Sequence, residues 1–151
     1  MYQRILLAVD GSRSSDLALS QAITVAKATG AEVEAIFIAD NSDLFFDVGY
    51  FDPSKIMDSI MAAGNEALSA AAARLAAEGV RHSTRLIDKP VGPGMISDTI
   101  IQEAVRWDAD LLVLGTHGRR GVKRLVMGSV AEGVLHKSGK PVLLIRSEAP
   151  D

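Results

Sequence analysis

Three short runs of the sequence are apolar nearly throughout: Ile5-Leu6-Leu7-Ala8-Val9, Val33 to Ala39, and Leu111-Leu112-Val113-Leu114. A strand covered on one face alternates apolar and polar residues, so runs without alternation belong to strands covered on both faces. Between them the apolar period changes to that of a helix. Leu19, Ile23 and Ala26 recur at helical spacing, as do Ile56, Ile60, Gly64, Ala67, Leu68, Ala71 and Leu75, and then Ile96, Ile100, Ala104 and Trp107. Strands alternating with helices require right-handed crossovers and a parallel sheet with helices on both sides. The expected architecture is α/β, a three-layer, doubly wound, five-stranded parallel sheet.

Punctuation residues set the element ends. Asp10-Gly11-Ser12 is a turn, Ser14 or Ser15 caps the first helix, and Gly30 stops it. Asp52-Pro53 places a capping acid before proline at the start of a long helix that Gly79 closes. The segment His82 to Ile87 is short and mostly polar, which suits a sheet edge. Gly92-Pro93-Gly94 breaks the chain before the next helix, and Leu111 to Leu114 reads as the most deeply buried strand. A helix from Ser129 to Lys137 and a strand from Pro141 to Arg146 complete the series.

The 151 residues fit a single domain, 1–151, with no internal repeat or linker. A domain of that size buries roughly 70% of the surface that its unfolded chain exposes, enough for a core without staples. There are no cysteines, hence no disulfide framework or thiolate metal site, and the histidines His82, His117 and His136 lack ligand spacing. The run Ile5 to Val9 is too brief for a signal peptide, and no apolar stretch approaches the roughly 20 residues that span a bilayer. A cytoplasmic location is expected. A net charge of -3 argues against general nucleic-acid binding, which needs a basic excess.

In an open parallel sheet, ligands bind beyond the carboxyl ends of the strands, where the strand order reverses. Three segments meet there: Asp10-Gly11-Ser12, Ile38-Ala39-Asp40, and the stretch from Gly115 to Val130. The last carries Gly115, Gly118 and Gly128, which let backbone amides approach an anion, and Gly128-Ser129 falls where a helix begins. Ser129 can cap that helix or donate to a phosphate oxygen. Arg119, Arg120, Lys123 and Arg124 place four of the 16 Lys and Arg residues in this loop, where they would offset a polyphosphate. The plainer alternative is a solvated loop with glycines for turns and cations for solubility. Asp10 likewise has two readings, a ligand contact or a cap on its own turn.

The pattern Gly115-x2-Gly118-x9-Gly128-Ser129 resembles the nucleotide-binding signature of the universal stress protein family. Ile5-Leu6-Leu7-Ala8-Val9-Asp10-Gly11-Ser12 resembles that family's opening, and the run from Gly128-Ser129-Val130-Ala131-Glu132 to Lys140-Pro141-Val142-Leu143-Leu144-Ile145 its close. The resemblance spans essentially the whole chain. It implies strand order 3-2-1-4-5, a homodimer and, in the nucleotide-binding branch, an ATP site with Mg2+ or Mn2+. By position, Asp10 would lie near the ribose or a phosphate-bound metal and Ile38 at the adenine, while Gly115, Gly118, Arg119, Gly128, Ser129 and Val130 fall in the phosphate and ribose loop.

Rival sites fail on their motifs. No Gly-x4-Gly-Lys-Ser/Thr occurs, and Asp10-Gly11-Ser12-Arg13-Ser14 is not the Gly-x-Gly-x-x-Gly of a dinucleotide fold. A phospho-receiver would need an acidic pair after the first strand and a lysine at the carboxyl end of the last; only Asp10 is present, and Lys140 lies at the other end. His117 and Asp10 could form an acid-base pair, but a lone histidine in a glycine loop more often binds or packs. The expected function is therefore nucleotide-binding regulation, with no catalytic residue assigned. Slow ATP hydrolysis and a nucleotide-free interaction module are the alternatives.

Two further segments stand out. Phe45, Phe46, Tyr50 and Phe51 sit among Asp40, Asp43, Asp47 and Asp52, either as a loop against the second helix or as a lid or docking patch. With the implied strand order, Val142-Leu143-Leu144-Ile145 forms an apolar edge strand that invites antiparallel pairing with a second copy.

Overall fold

A computed structural model describes residues 1–39, 53–88, 92, 95–116 and 128–146. The elements run β1 (Arg4–Ala8), α1 (Arg13–Thr29), β2 (Glu32–Ile38), α2 (Pro53–Ala77), β3 (His82–Ile87), α3 (Ile96–Trp107), β4 (Leu111–Gly115), α4 (Ser129–Lys137) and β5 (Val142–Ile145). All neighbouring strands pair in parallel, in the order β3-β2-β1-β4-β5. The five-stranded doubly wound sheet expected from the periodicity is thus the observed fold. Among the described residues, no helix is long and apolar enough to cross a membrane.

Successive strand residues face opposite sides, and each side has its own core. Ile5, Leu7, Val33, Ala35, Phe37 and Val113 pack beneath α1 and α2. Leu6, Ile36, Leu112 and Leu114 pack beneath α3 and α4, against Ile100, Ala104, Ala131 and Val134. Burial on both faces is what the unbroken apolar runs demanded. It is as complete in β1 and β2, where Ile5, Leu7, Val33 and Ile36 are all 0% exposed, as in β4. β4 is therefore not the most deeply buried strand; β1, with two strands on either side, is the centre of the sheet.

The helix ends differ from expectation in one respect. The cap of α1 is Ser12, whose Oγ accepts from the backbone N–H of Ser15, and not Ser14 or Ser15, both of which lie inside the helix. Ser12 has the extended backbone a cap needs, with φ of -79° and ψ of 167°, whereas Ser14 and Ser15 follow the first helical residue, Arg13. At the other end Gly30 takes φ of +77° and its N–H donates to the Ala26 carbonyl, the left-handed stop that glycine favours. Pro53 is the first residue of α2, while Asp52 and the aromatic-acidic segment lie outside the described residues.

Buried polar side chains among the described residues collect in two places. Ser12, Ser14 and Ser15 sit at the start of α1, and Glu34 and Glu103 sit between β2 and α3. Thr99, also buried, turns its hydroxyl to the Met95 carbonyl within α3. Burying a polar group is costly unless it is hydrogen-bonded, so both clusters call for an account.

Candidate nucleotide crevice

The strand order reverses between β1 and β4, and the segments after these strands define the crevice. Asp10 leaves β1 and turns sharply through Gly11, whose φ is +82°. The Ser12 N–H donates to Asp10 Oδ1 at 2.9 Å, the Ser15 N–H donates to Ser12 Oγ at 3.2 Å, and the Asp10 N–H donates to Ser15 Oγ at 3.1 Å. These three bonds close a ring that fixes the Asp10 carboxylate and satisfies the first turn of α1. Asp10 thus caps its own turn with one oxygen, while no donor meets the other among the described residues.

Gly115 ends β4 directly against that turn. A side chain here would place Cβ 2.5 Å from Ser14 Cβ and 2.9 Å from the Ser14 carbonyl carbon. Glycine at 115 is thus required by the approach of α1 to the sheet, a packing role distinct from the anion approach expected of it. The next residue, Thr116, donates its N–H to the Ile145 carbonyl at 2.9 Å, and its own carbonyl accepts from Gly128 N–H at 2.7 Å. Thr116 and Gly128 are therefore joined beside the end of β4.

Gly128 is the N-cap of α4, with φ of -65° and ψ of 157°, and makes no side-chain cap hydrogen bond. Its φ is open to any residue, so a need for glycine there would come from space. Ser129 is the first helical residue and is exposed, which removes the capping half of its two readings. The first-turn N–H groups of α4 lack intrahelical acceptors, as in any helix, and the cap residue Gly128 has no side chain to replace them. Val130 is half-buried on the core beneath α4, as is Ile38 at the end of β2. Six predicted residues, Asp10, Ile38, Gly115, Gly128, Ser129 and Val130, thus lie at the carboxyl ends of the strands or just beyond. Gly118 and Arg119, with His117, Arg120, Lys123 and Arg124, lie outside the described residues.

Sequence reasoning placed Ser12 in the turn but missed its capping role, although its position two residues after Asp10 and three before Ser15 is the spacing a turn followed by a cap requires. A separate cavity of about 260 Å³ opens at the opposite end of the sheet, between Ile101, Ala104, Val105, Asp108, Ser138 and Lys140. Among the described residues no three His, Asp or Glu side chains gather to hold a metal ion.

A five-stranded parallel sheet in the order β3-β2-β1-β4-β5, with helices on both faces, defines the class of doubly wound α/β domains. Within that class the chain belongs to the universal stress protein family, whose sequence profile matches residues 1–146. It is 32% identical over 146 residues to universal stress protein MJ0531 of Methanocaldococcus jannaschii, covering 97% of this chain and 83% of that protein. Universal stress protein UspA from Lactobacillus plantarum superposes with a TM-score of 0.79 at 25% identity, over 96% of this chain and 98% of that one. The universal stress protein from Archaeoglobus fulgidus in complex with dAMP gives a TM-score of 0.66 at 27% identity, over 95% and 98% of the two chains.

Proposed function

We propose that the protein is an adenine-nucleotide-binding regulator that takes ATP in the crevice between β1 and β4. The observation that carries the reading is the start of α4, where glycine stands in the capping position and is held through Gly128 N–H to Thr116 beside the Asp10 turn. Such a helix start offers backbone donors and a partial positive charge to a phosphate. The dAMP complex of the Archaeoglobus fulgidus relative supports an adenine ligand. In this reading Ser129, Val130 and the backbone near Gly118 and Arg119 hold phosphate and ribose, Ile38 borders the adenine, and the second oxygen of Asp10 takes a ribose hydroxyl or a cation.

With no carboxylate cage among the described residues, Mg2+ or Mn2+ would be carried mainly by the phosphates, as is usual for a nucleotide-bound cation. The chain's own residues then orient the nucleotide and no catalytic base is assigned, so the function is regulation by occupancy in the cytoplasm. We further propose a homodimer through β5. That strand lies at a sheet edge, and Val142, Leu143, Leu144 and Ile145 are only half-buried in the single chain.

Denaturing the purified protein and identifying the released small molecule tests the ligand. ATP, ADP or AMP is expected, and no nucleotide together with no calorimetric binding of any of the three would leave a pure interaction module. Sustained multiple turnover at the roughly 1 to 10³ s⁻¹ of ordinary enzymes would place the protein among ATP hydrolases instead. For the dimer, light scattering at micromolar concentration should give twice the chain mass and Leu144→Lys a monomer; a monomeric parent rejects the dimer, and a dimeric variant moves its interface off β5.

A further inference from the structure

The second buried polar cluster lies away from the nucleotide crevice. Glu34 on β2 and Glu103 on α3 are each 4% exposed, and the two carboxyls pair with one another and share the Arg106 guanidinium. Arg106 on α3 donates through Nε and Nη2 to both oxygens of Glu103, the Nε bond at 2.8 Å, and reaches Glu34 Oε2 only at 3.4 Å. From β3, the Arg85 Nε lies 3.5 Å from Glu103 Oε1. On β1 the nearby cation is Arg4, but its guanidinium is committed to the Trp107 carbonyl at 2.7 Å and to the Trp107 ring. The cations therefore converge on Glu103. Glu34 Oε1 is buried and meets no donor among the described residues.

An ionised Glu34 would bury an unpaired anionic oxygen beside a second carboxylate, which is costly even next to half-exposed arginines. A protonated Glu34 gains a donor, and the carboxyl paired with it by a side-chain hydrogen bond is Glu103. We propose that Glu34 and Glu103 share one proton, and that this proton latches α3 onto the β2–β3 side of the sheet, so that its loss loosens the helix. Chemistry assigns the proton to Glu34, since Glu103 already holds the bonds that favour a charge.

Burial first, and then the hydrogen bond and charge of Glu103, push the Glu34 carboxyl up to about 8. Burial would raise Glu103 too, but the hydrogen bonds from Arg106 and Glu34 and the charge of Arg85 outweigh it and hold Glu103 below the usual carboxylate range. The folded chain thus keeps the Glu34 proton to a higher pH than the unfolded chain. Its stabilising contribution is full below the ordinary glutamate value and falls as pH rises from there to about 8. Glu103 acts in the opposite sense, its contribution being lost only under acid conditions, so the two effects occupy separate pH ranges.

Carboxyl 13C spectra of the whole protein labelled at its glutamate side chains read the proton directly. One glutamate should titrate near about 8, against roughly 4.3 for an ordinary one. E34Q should erase that titration and flatten the fall of the urea midpoint with rising pH, and E103Q should bring it down by about one unit or more. If every glutamate in the parent has titrated by about pH 6, the shared proton is rejected, whether or not the variants fold. Amide exchange, corrected for intrinsic rates, reads the latch: protection of α3 relative to β1 should fall in the parent as the proton leaves. A constant ratio across that range would overturn the latch.

Discussion

Helices α1 and α4 both begin at the carboxyl end of the sheet, after neighbouring strands β1 and β4, yet their first turns are finished differently. At α1, Ser12 caps the helix and Asp10 caps Ser12, so the chain supplies its own acceptors. At α4, Gly128 stands in the capping position with no side chain to offer. Replacing a hydroxyl cap by glycine costs only a few tenths of a kcal/mol, so leaving α4 open is cheap for the fold. In the proposed reading, what is gained is a set of oriented donors for a phosphate: the closed start positions the Asp10 carboxylate, the open one takes the anion, and Gly115 allows α1 to approach the end of β4.

The largest effect should come from breaking that junction. Gly115→Val drives a side chain into the Ser14 backbone, where no flexible neighbour can yield, and should destabilise the fold by about 3 kcal/mol or more while removing nucleotide binding. Urea denaturation measures the first and calorimetry the second; an unchanged urea midpoint would mean that α1 does not approach β4 as described. Next is Gly128→Asp, which makes α4 resemble α1 by supplying both a cap and a negative charge. Stability should rise by a few tenths of a kcal/mol while ATP affinity falls roughly 100-fold, about 2.7 kcal/mol. Opposite signs for folding and binding are the diagnostic outcome. Binding as tight as the parent's would exclude the start of α4 as the phosphate site.

The smallest effect should be that of Ser12→Ala, which opens the closed helix. Loss of this cap costs about 1 kcal/mol of stability, and ATP should bind at most a few-fold more weakly, because the Ser12 N–H that holds Asp10 belongs to the backbone and stays, and no phosphate donor is removed. A loss of binding as large as that of Gly128→Asp would show that the start of α1 holds the anion instead.

The fold was legible because its signals are local and repetitive. Unbroken apolar runs gave β1 and β4, helical spacing gave the buried stripes of α1 and α3, and the polarity of His82 to Ile87 marked β3 as an edge. The strand order came with the family resemblance, since periodicity alone does not order strands. The crevice was legible in part: Asp10, Gly115 and Gly128 stand at chain breaks where the sheet's geometry places ligands. What escaped notice depends on contacts between distant residues. The role of Gly115 is set by Ser14, and that of Glu34 by Glu103 and Arg106. A glutamate in the nearly apolar run Val33-Glu34-Ala35-Ile36-Phe37 was the available sign that a buried partner existed, although nothing in the sequence says which residue supplies it.

Amide chemical-shift mapping of the 15N-labelled protein during titration with Mg2+ and ATP tests the central claim most directly, because it reads the two helix starts separately. The largest shifts should fall on Ser129, Val130 and Ala131 in the first turn of α4, with smaller ones at Asp10 and Gly11 and little change within α1 from Ser15 onward. Saturable shifts centred instead on Ile101, Ala104 and Lys140 at the opposite end of the sheet, or no shifts at millimolar ATP, would contradict it.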